Sequence, residues 1–481
     1  MPQKKKKEKI FVSRSLNMGS IASIGFDMDH TVARYYREEF ESLAFRKTLE
    51  KFIAAGYPRE LENLTFDPKF VIRGLLVDRN RGNLLKVDSH KYVKVAYHGH
   101  EKLDKATRHA LYNSSGYKAD QFLSIDTFFA LSEVQLFTEI VDYMRRNPGS
   151  IEKSFREVYR DLREFIDLSH RDGSIKDEVI GNLSKYIVAD SDLRSMLLHL
   201  IEGGRKLFLL TNSDFAYTNA VMSFLLNEGK ADGEYSRWQD FFEYTIVSSA
   251  KPTFFTGSSP FYEVVDESGL LRMHHGPLKT GGVYHGGHAK LLEKLTHQKG
   301  DQILYIGDHI YGDIMRSKEL FNWRTMVVVE ELEEEFDQIE KLKPQLKSIL
   351  KLIEEEEELD TELSNLYGQI SNLKRRRSNQ ASDQAKVKKI DQKIEELNAA
   401  MVACETTLKA HHKELKRKIN EREKEFHPIW GELLYTSLEK SRFAQQIESY
   451  ACLYTTKITN FLSYSANQSF RSVRDYMPHD F

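Results

Sequence analysis

Two pairs of carboxylates in this sequence have the spacing that chemistry at a strand end requires. Asp27 and Asp29 lie two residues apart in FDMDHT, directly after an apolar run. Such a pair can supply a nucleophile with a general acid/base, or ligands for a metal ion. Asp308 and Asp313 lie in GDHIYGD after another apolar run, and their oxygens suit a hard cation. A surface turn can contain the same letters, so neither pair alone identifies a site.

Two further segments offer groups that would bind a phosphate. Thr211 begins TNSD, where a hydroxyl and backbone N–H groups at a helix N-terminus would hold phosphate oxygens. Taken alone, Thr211 or Ser213 is more often only a helix cap. Lys251 follows the next apolar run and would neutralise the charge of a phosphate, although a lysine at that position is, taken alone, more often an ordinary surface residue. Lys290 also precedes GDHIYGD and is the rival for this role.

The elements that must position these residues are strands buried on both faces. Continuous apolar runs, rather than alternating ones, indicate a parallel sheet flanked by helices. We therefore predict an α/β fold with a doubly wound parallel sheet, in which ligands bind outside the carboxyl ends of the strands. The five runs are Ile21–Asp27, Lys206–Thr211, Tyr244–Ser248, Gln302–Asp308 and Thr325–Val329.

The spacing of the runs predicts the domains. Far more residues separate the first two runs than one crossover needs, so residues 34–195 are predicted to form an inserted, mainly helical cap that recognises substrate. Residues 1–33 and 196–330 then form the catalytic core. Within the insertion we predict helices over Asp126–Arg145 and Phe155–Ser169 and a strand at Tyr92–Tyr97. A smaller insertion from Pro252 to about Gly287 contains a hairpin-like segment over Tyr262–Met273.

Residues 331–426 change in composition to Glu, Lys, Leu and Ile. Apolar residues recur at steps of seven, four, three, four and three from Leu352 to Leu373, and at alternating steps of three and four from Val387 to Leu408. This pattern predicts a coiled-coil hairpin of two antiparallel helices, with a polar break at Arg375–Lys386. Residues 427–481 regain aromatic side chains and are predicted to pack back on the core.

Composition excludes several classes of protein. The 481 residues include 70 Lys and Arg against 72 Asp and Glu, a net charge of −2 that argues against a protein devoted to coating nucleic acid. With only Cys404 and Cys452, a disulfide scaffold and a multi-cysteine zinc site are excluded. No apolar stretch is long enough for a membrane span or a secretory signal. We therefore expect a cytoplasmic protein with no membrane or nucleic-acid partner.

The order of the motifs resembles a known family. D-x-D-x-T, then T-N after a strand, then K, then G-D-x-x-x-x-D is similar to the haloacid-dehalogenase-like phosphohydrolase superfamily. Within it the chain resembles the cytosolic purine 5′-nucleotidases through FDMDHT, TNSD, KPTF, YIGDHIYGD and Gly286-Gly287, and through Met477-Pro478-His479. His30 and His288 stand where the family often has Tyr and Ser, and neither departure removes a carboxylate.

The resemblance implies a role for each motif residue. Asp27 would attack phosphorus to form an aspartyl-phosphate, and Asp29 would act as general acid and then as general base. Mg²⁺ would be held by Asp27, the backbone carbonyl of Asp29 and Asp308, with Asp313 supporting the site. The remaining residues would bind the phosphate: Thr211, Asn212 and Lys251, the last of which is preferred to Lys290 because of its K-P context.

The resemblance also implies a substrate. Arg163, Asp167, His170 and Lys176 match the family's base-recognition stretch, and Phe129 matches the aromatic that stacks on the base. A 6-oxopurine accepts hydrogen bonds from an Arg and donates its N1–H to a carboxylate, so GMP and IMP should be preferred to AMP. Spacings of four and three would equally suit a surface salt bridge on a helix, which is the alternative for the first three residues.

The function implied is Mg²⁺-dependent hydrolysis of purine nucleoside 5′-monophosphates, with transfer of phosphate to another nucleoside as a side activity. One alternative is a phosphatase of another phosphomonoester, with the same core and a different cap pocket. A second is a non-enzymatic coiled-coil interaction protein with a vestigial core. The family also implies a homo-oligomer, a dimer or a tetramer, for which the predicted hairpin offers a surface.

Overall fold

The fold is given by a computed structural model that describes residues 5–113, 122–227, 235–380 and 382–473. The segment Met477–His479, which contributed to the family resemblance, lies outside the described residues. Among the helices that are described, none combines the length and the apolar character needed to cross a bilayer.

The described residues form strands and helices along the whole chain. The strands are β1 (Phe11–Val12), β2 (Leu16–Asn17), β3 (Ser23–Phe26), β4 (Leu76–Asp78), β5 (Asn83–Val87), β6 (Val93–His98), β7 (Glu101–Lys102), β8 (Leu123–Ser124), β9 (Lys206–Leu210), β10 (Tyr244–Val247), β11 (Phe261–Val264), β12 (Leu271–Met273), β13 (Gly282–Gly286), β14 (Ile303–Gly307), β15 (Arg324–Val328), β16 (Tyr435–Thr436), β17 (Glu439–Lys440), β18 (Leu453–Thr455) and β19 (Ser469–Phe470). The helices are α1 (Arg37–Ala54), α2 (Lys105–Arg108), α3 (Ala130–Arg146), α4 (Phe155–Arg171), α5 (Lys176–Gly181), α6 (Leu183–Tyr186), α7 (Leu193–Glu202), α8 (Phe215–Leu226), α9 (Thr253–Thr256), α10 (Ala289–Thr296), α11 (Arg316–Phe321), α12 (Leu332–Lys341), α13 (Lys343–Asn379), α14 (Gln384–Phe426) and α15 (Arg442–Tyr450).

A ten-stranded sheet in the order β1-β18-β15-β14-β3-β9-β10-β13-β11-β12 forms the centre of the fold. The seven strands from β18 to β13 run parallel, and β1, β11 and β12 are antiparallel to their neighbours. All five apolar runs predicted as strands lie in it, and β11 and β12 form the predicted hairpin. β3 and β14 are buried along their whole length, as strands covered on both faces must be. The prediction of a mixed α/β fold with a largely parallel sheet is confirmed.

The insertion contains more strand than the sequence predicted. Helices α3 and α4 occupy the predicted segments, and β6 lies at the predicted strand. β6 belongs, however, to a five-stranded antiparallel sheet in the order β7-β6-β5-β4-β8. The other strands were missed because they are short and lack alternation: Asn83–Val87, for example, is buried at every position although it contains Asn and Lys. The boundaries of core and cap stay a prediction.

Residues Glu334–Glu432 form a compact unit of their own, and a second unit joins the residues up to Glu333 with those from Leu433 onward. In the smaller unit α13 and α14 pack as an antiparallel pair. Cys404 Sγ lies 3.4 Å from the Leu359 carbonyl, and the Tyr367 hydroxyl donates to Glu405 at 3.0 Å. The predicted seam supplies four buried side chains that cluster between the helices, Leu366, Ile370, Leu397 and Cys404, and Ile349 and Leu415 are buried outside it.

The predicted break between the two helices is too wide. α13 continues through the basic residues to Asn379, and α14 begins at Gln384, whose N-terminus is capped by the Asp383 side chain. Lys and Arg are good helix formers, so a charged run need not end a helix.

Candidate active site

The acids predicted to do chemistry lie at the carboxyl edge of the central sheet. Phe26, at the end of β3, is in register with Leu209 of β9 and Ile306 of β14. The N–H of Asp27 donates to the Ile306 carbonyl at 2.8 Å. Because these strands are parallel neighbours, Asp27 and Asp308, which follow two of them, emerge side by side.

Lys251 connects the acids to each other. Its Nζ lies 2.8 Å from Asp27 Oδ1 and 2.7 Å from Asp313 Oδ1, and it donates to the Tyr305 hydroxyl at 2.8 Å. Burial alone would lower the pKa of Lys251, but the carboxylates of Asp27 and Asp313 outweigh it and raise that pKa. Lys251 therefore remains a buried cation. The rival Lys290 is exposed on α10.

Asp27, Asp308 and Asp313 form a buried acid cluster. One carboxylate oxygen from each lies within 4.8 Å of the others. Burial raises the pKa of Asp27 well above its usual value, and Asp313, Asp29 and Asp308 add to the rise while Lys251 opposes it. Burial likewise raises the pKa of Asp308 to about 6. The negative charge exceeds what Lys251 neutralises, so the donor set fits a hard divalent cation.

Asp29 stands apart from this cluster and is held by hydroxyl groups. Tyr35 donates to its Oδ1 at 2.5 Å and Ser213 donates to its Oδ2 at 2.8 Å. The Tyr35 hydroxyl also lies 3.0 Å from that of Tyr217. Burial raises the pKa of Asp29, and the hydrogen bonds from Tyr35 and Ser213 partly oppose this rise. A carboxyl with a raised pKa is suited to donate a proton.

The segment after β9 is tied to the Lys251 loop. The Asn212 side chain accepts hydrogen bonds from the Lys251 N–H at 2.6 Å and the Ser249 hydroxyl at 2.9 Å, and its amide donates to the Lys251 carbonyl at 3.0 Å. Thr211 is fully buried, and its hydroxyl accepts from the Ser213 N–H at 3.0 Å. The Asn212 side chain thus holds the backbone of the loop that carries Lys251.

One cavity of about 670 Å³ joins the acids to the predicted base-recognition residues. Thr211 is not among its lining residues, whereas Asn212, Ser213 and Lys251 are. All five residues predicted to contact the base line it: Phe129, Arg163, Asp167, His170 and Lys176. Side chains that the sequence separates by more than a hundred positions therefore share one space.

The base-recognition residues are paired among themselves. Arg163 Nη2 donates to Asp167 Oδ1 at 2.9 Å, which is the salt bridge along a helix that the spacing allowed. The His170 ring meets Phe129 edge-on, with centroids 6.1 Å apart. Burial, with Lys176 and Arg163 adding to it, lowers the pKa of His170 to about 4, so its imidazole is neutral. Lys176 pairs with Asp214.

Comparison with known proteins identifies the family. A family model described as the 5′ nucleotidase family matches residues 10–481. The chain belongs to this family. A 5′-nucleotidase domain-containing protein from Dictyostelium discoideum is 28% identical over 485 residues, which cover 98% of this chain and 75% of that protein. Membership makes the chain a hydrolase of the 5′-nucleotidase type, which acts on nucleoside monophosphates.

Among the residues that sequence reasoning missed, three more contact this candidate site. The Thr127 hydroxyl donates to Asp308 Oδ2 at 3.0 Å. Glu133 lines the cavity and pairs with Arg163 at 2.5 Å. Thr127 precedes Phe129 by two residues and Glu133 follows it by one helical turn. Both could have been suggested by their position close to Phe129, a predicted base contact.

The third missed residue, Arg73, has no such signal. Its guanidinium is fully buried and donates to the Asp308 carbonyl at 2.9 Å, across 235 positions of sequence. It also pairs with both oxygens of Glu331, at 2.7 and 2.6 Å, and lies 4.0 Å from the Phe128 ring centroid. Arg73 thereby ties the insertion to the loop that carries Asp308.

Proposed function

We propose that the chain is a Mg²⁺-dependent 5′-nucleotidase of the haloacid-dehalogenase-like superfamily that hydrolyses purine nucleoside 5′-monophosphates, with GMP and IMP ahead of AMP. The observation that carries the proposal is the single cavity that joins Asp27, Asp29 and Lys251 to Arg163, Asp167 and Phe129. Its size suits a ligand with a phosphate at one end and a base at the other.

The chemistry proposed for this chain begins with Asp27. Its carboxylate attacks phosphorus in line and forms an aspartyl-phosphate, while Asp29 donates its proton to the departing 5′-oxygen. Asp29 then removes a proton from the water that hydrolyses the acyl phosphate. Lys251 and the N–H of Asn212, beside the Thr211 hydroxyl, stabilise negative charge on the phosphate oxygens.

The acid cluster supports Mg²⁺ as the metal. Asp27, Asp308 and the backbone carbonyl of Asp29 would hold it, and Asp313, which is bonded to Lys251 and Tyr305, would keep the cluster in place. When bound, the ion would neutralise charge on the phosphate and the acids. We expect chelation to abolish turnover.

Base preference is proposed to follow from two hydrogen-bonding groups. Arg163 would donate to O6 of a 6-oxopurine, and Asp167 would accept its N1–H while Phe129 stacks on the ring. Adenine presents an acceptor at N1, so a carboxylate there would remain poorly paired, and such a mismatch is strongly rejected. If a nucleoside 5′-hydroxyl replaces water at the phosphoenzyme, the same residues would transfer phosphate to it.

The test is phosphate release from GMP, IMP, AMP, CMP and UMP and from sugar phosphates, with and without Mg²⁺. Preferred hydrolysis of GMP and IMP that requires Mg²⁺ would support the proposal. Faster release from a sugar phosphate would favour a phosphatase of another phosphomonoester. No release from any substrate would favour the non-enzymatic alternative.

A further inference from the structure

Glu133 is a buried carboxylate beside the residues proposed to surround the base. It lies in the first turn of α3, one helical turn after Phe129, and its side chain is 2% exposed. Asp167, the acid predicted to read the base, is 53% exposed. Both acids line the same cavity.

The two oxygens of Glu133 hold two residues of the neighbouring helix. Oε2 accepts from Arg163 Nη1 at 2.5 Å, and Oε1 accepts from the Tyr159 hydroxyl. Tyr159 and Arg163 are one turn apart on α4, so Glu133 of α3 clamps a single face of that helix. Tyr159 is itself 2% exposed.

The Arg163 guanidinium therefore bonds to two acids, Glu133 and Asp167, and these two acids differ in how firmly they hold it. An exposed pair such as Arg163–Asp167 is screened by water and contributes little to orientation. A buried, hydrogen-bonded carboxylate holds its partner more firmly, because separating the pair would leave an uncompensated charge. These two bonds use two of the five guanidinium N–H donors, which leaves donors for a ligand in the cavity.

We propose that Glu133 is a specificity-determining positioning residue: it fixes Arg163 in the orientation that reads the oxygen at C6 of a purine. The inference rests on the proposed function and adds to it a residue that acts through Arg163 rather than on the substrate. Asp167 then remains free to exchange its bond with Arg163 for a bond to the base.

The experiment compares Glu133→Gln with the unchanged chain on GMP, AMP and ribose 5-phosphate, which lacks a base. Gln keeps the size of the side chain and accepts from Tyr159, but it loses the charge that holds Arg163. We expect the ratio of kcat/KM for GMP to that for AMP to fall about 10-fold, mainly through the KM for GMP. Tyr159→Phe, which removes the other bond to Glu133, should lower the ratio in the same direction by about 3-fold.

Glu164→Gln is the matched control, because Glu164 is the exposed neighbour of Arg163 on α4 and the substitution removes the same charge. It should leave the ratio within twofold of the starting value, at about the scale of a surface substitution. If Glu133→Gln does not fold, as judged by its thermal transition, Tyr159→Phe alone carries the test.

The outcomes separate this inference from the proposed function. If the unchanged chain does not prefer GMP to AMP, the proposed base preference is wrong and this inference falls with it. If the unchanged chain prefers GMP and both variants keep that preference, or lose GMP and ribose 5-phosphate activity equally, only the role of Glu133 is overturned.

Discussion

At the scale of single residues, the buried acids of the candidate site repel one another. Asp27 has one cation, Lys251, and three neighbouring carboxylates that raise its pKa. Asp27→Asn removes the anion that would attack phosphorus, so we expect phosphate release from GMP to fall by at least about 1,000-fold. The thermal midpoint should stay equal or rise, because repulsion within the cluster is relieved.

The control for that prediction is Asp301→Asn, since Asp301 is an exposed acid just before β14. It should keep full activity. An Asp27→Asn enzyme that retains more than a few per cent of GMP hydrolysis would mean that another group is the nucleophile.

Glu41 makes the stability depend on pH. Burial raises its pKa from 4.5 to about 7, with the Ser132 N–H at 3.0 Å and Arg37 opposing the rise. Between these two pKa values the folded protein therefore keeps a proton that the unfolded chain releases. Glu41 lowers the free energy of unfolding by an increasing amount as the pH rises from 4.5 to about 7, to a limit on the order of 3 kcal/mol.

Glu41→Gln should remove this cost, since the amide needs no proton and still accepts from Ser132. We expect the variant to melt at nearly the same temperature as the unchanged chain at about pH 5, and above it at about pH 8. Glu38→Gln, at an exposed position of α1, is the control. A pH-independent difference between the Glu41 variant and the unchanged chain would contradict the prediction.

Residues of the candidate site differ in how far the sequence predicts them. The proximity of Asp27, Lys251 and Asp308 could be predicted because each follows a strand, and parallel strands bring their carboxyl ends to one edge. Arg163 and Phe129 were reached only through the family resemblance. Arg73 could not be predicted, because its partners belong to distant segments and leave no local pattern.

At the scale of elements, Arg73 is one of the contacts between the insertion and the end of β15. It pairs with Glu331 and donates to the carbonyls of Asp308 and Val328. Arg73→Leu would leave the mostly buried Glu331 carboxylate without its partner, so we expect a loss of about 3–5 kcal/mol in the free energy of unfolding.

Combining Arg73→Leu with Glu331→Leu should recover much of that loss, because neither charge is then left unpaired. Thermal or denaturant unfolding of the single and double variants measures both effects. If the double variant is as unstable as the single one, the carbonyl contacts of Arg73, and not its ion pair, provide the stability.

Elements also differ in how far the sequence predicts them. Five strands of the central sheet, β3, β9, β10, β14 and β15, are mainly apolar, and α14 repeats at steps of three and four, so these elements could be predicted. The antiparallel sheet of the insertion could not, because its strands are two to six residues long and mix polar and apolar side chains. Such strands are defined by their pairing rather than by their own pattern.

At the scale of the whole molecule, assembly stays a prediction. The helices α13 and α14 leave several large apolar side chains uncovered in their own unit, of which Tyr367 and Val402 are 51% and 57% exposed. We propose that this surface meets a second copy. Replacing Leu352–Leu408 by a short Gly/Ser linker should lower the oligomeric state and spare the activity proposed for Asp27.

Light scattering measures that outcome directly, with GMP hydrolysis as the check that the remaining unit is folded. A shortened chain with the same number of subunits per particle as the full chain would place the interface elsewhere.

The position of β18 has a consequence for synthesis on the ribosome. β18 begins at Leu453 and pairs with β15, which ends at Val328, and every residue proposed for the site precedes both. At about 5–20 residues per second, the strand that covers this edge follows on the order of 10 seconds after β15. During that interval the nascent chain would already contain every acid proposed for the site while β15 still lacks its partner β18, and an unpaired edge is prone to pair with another chain.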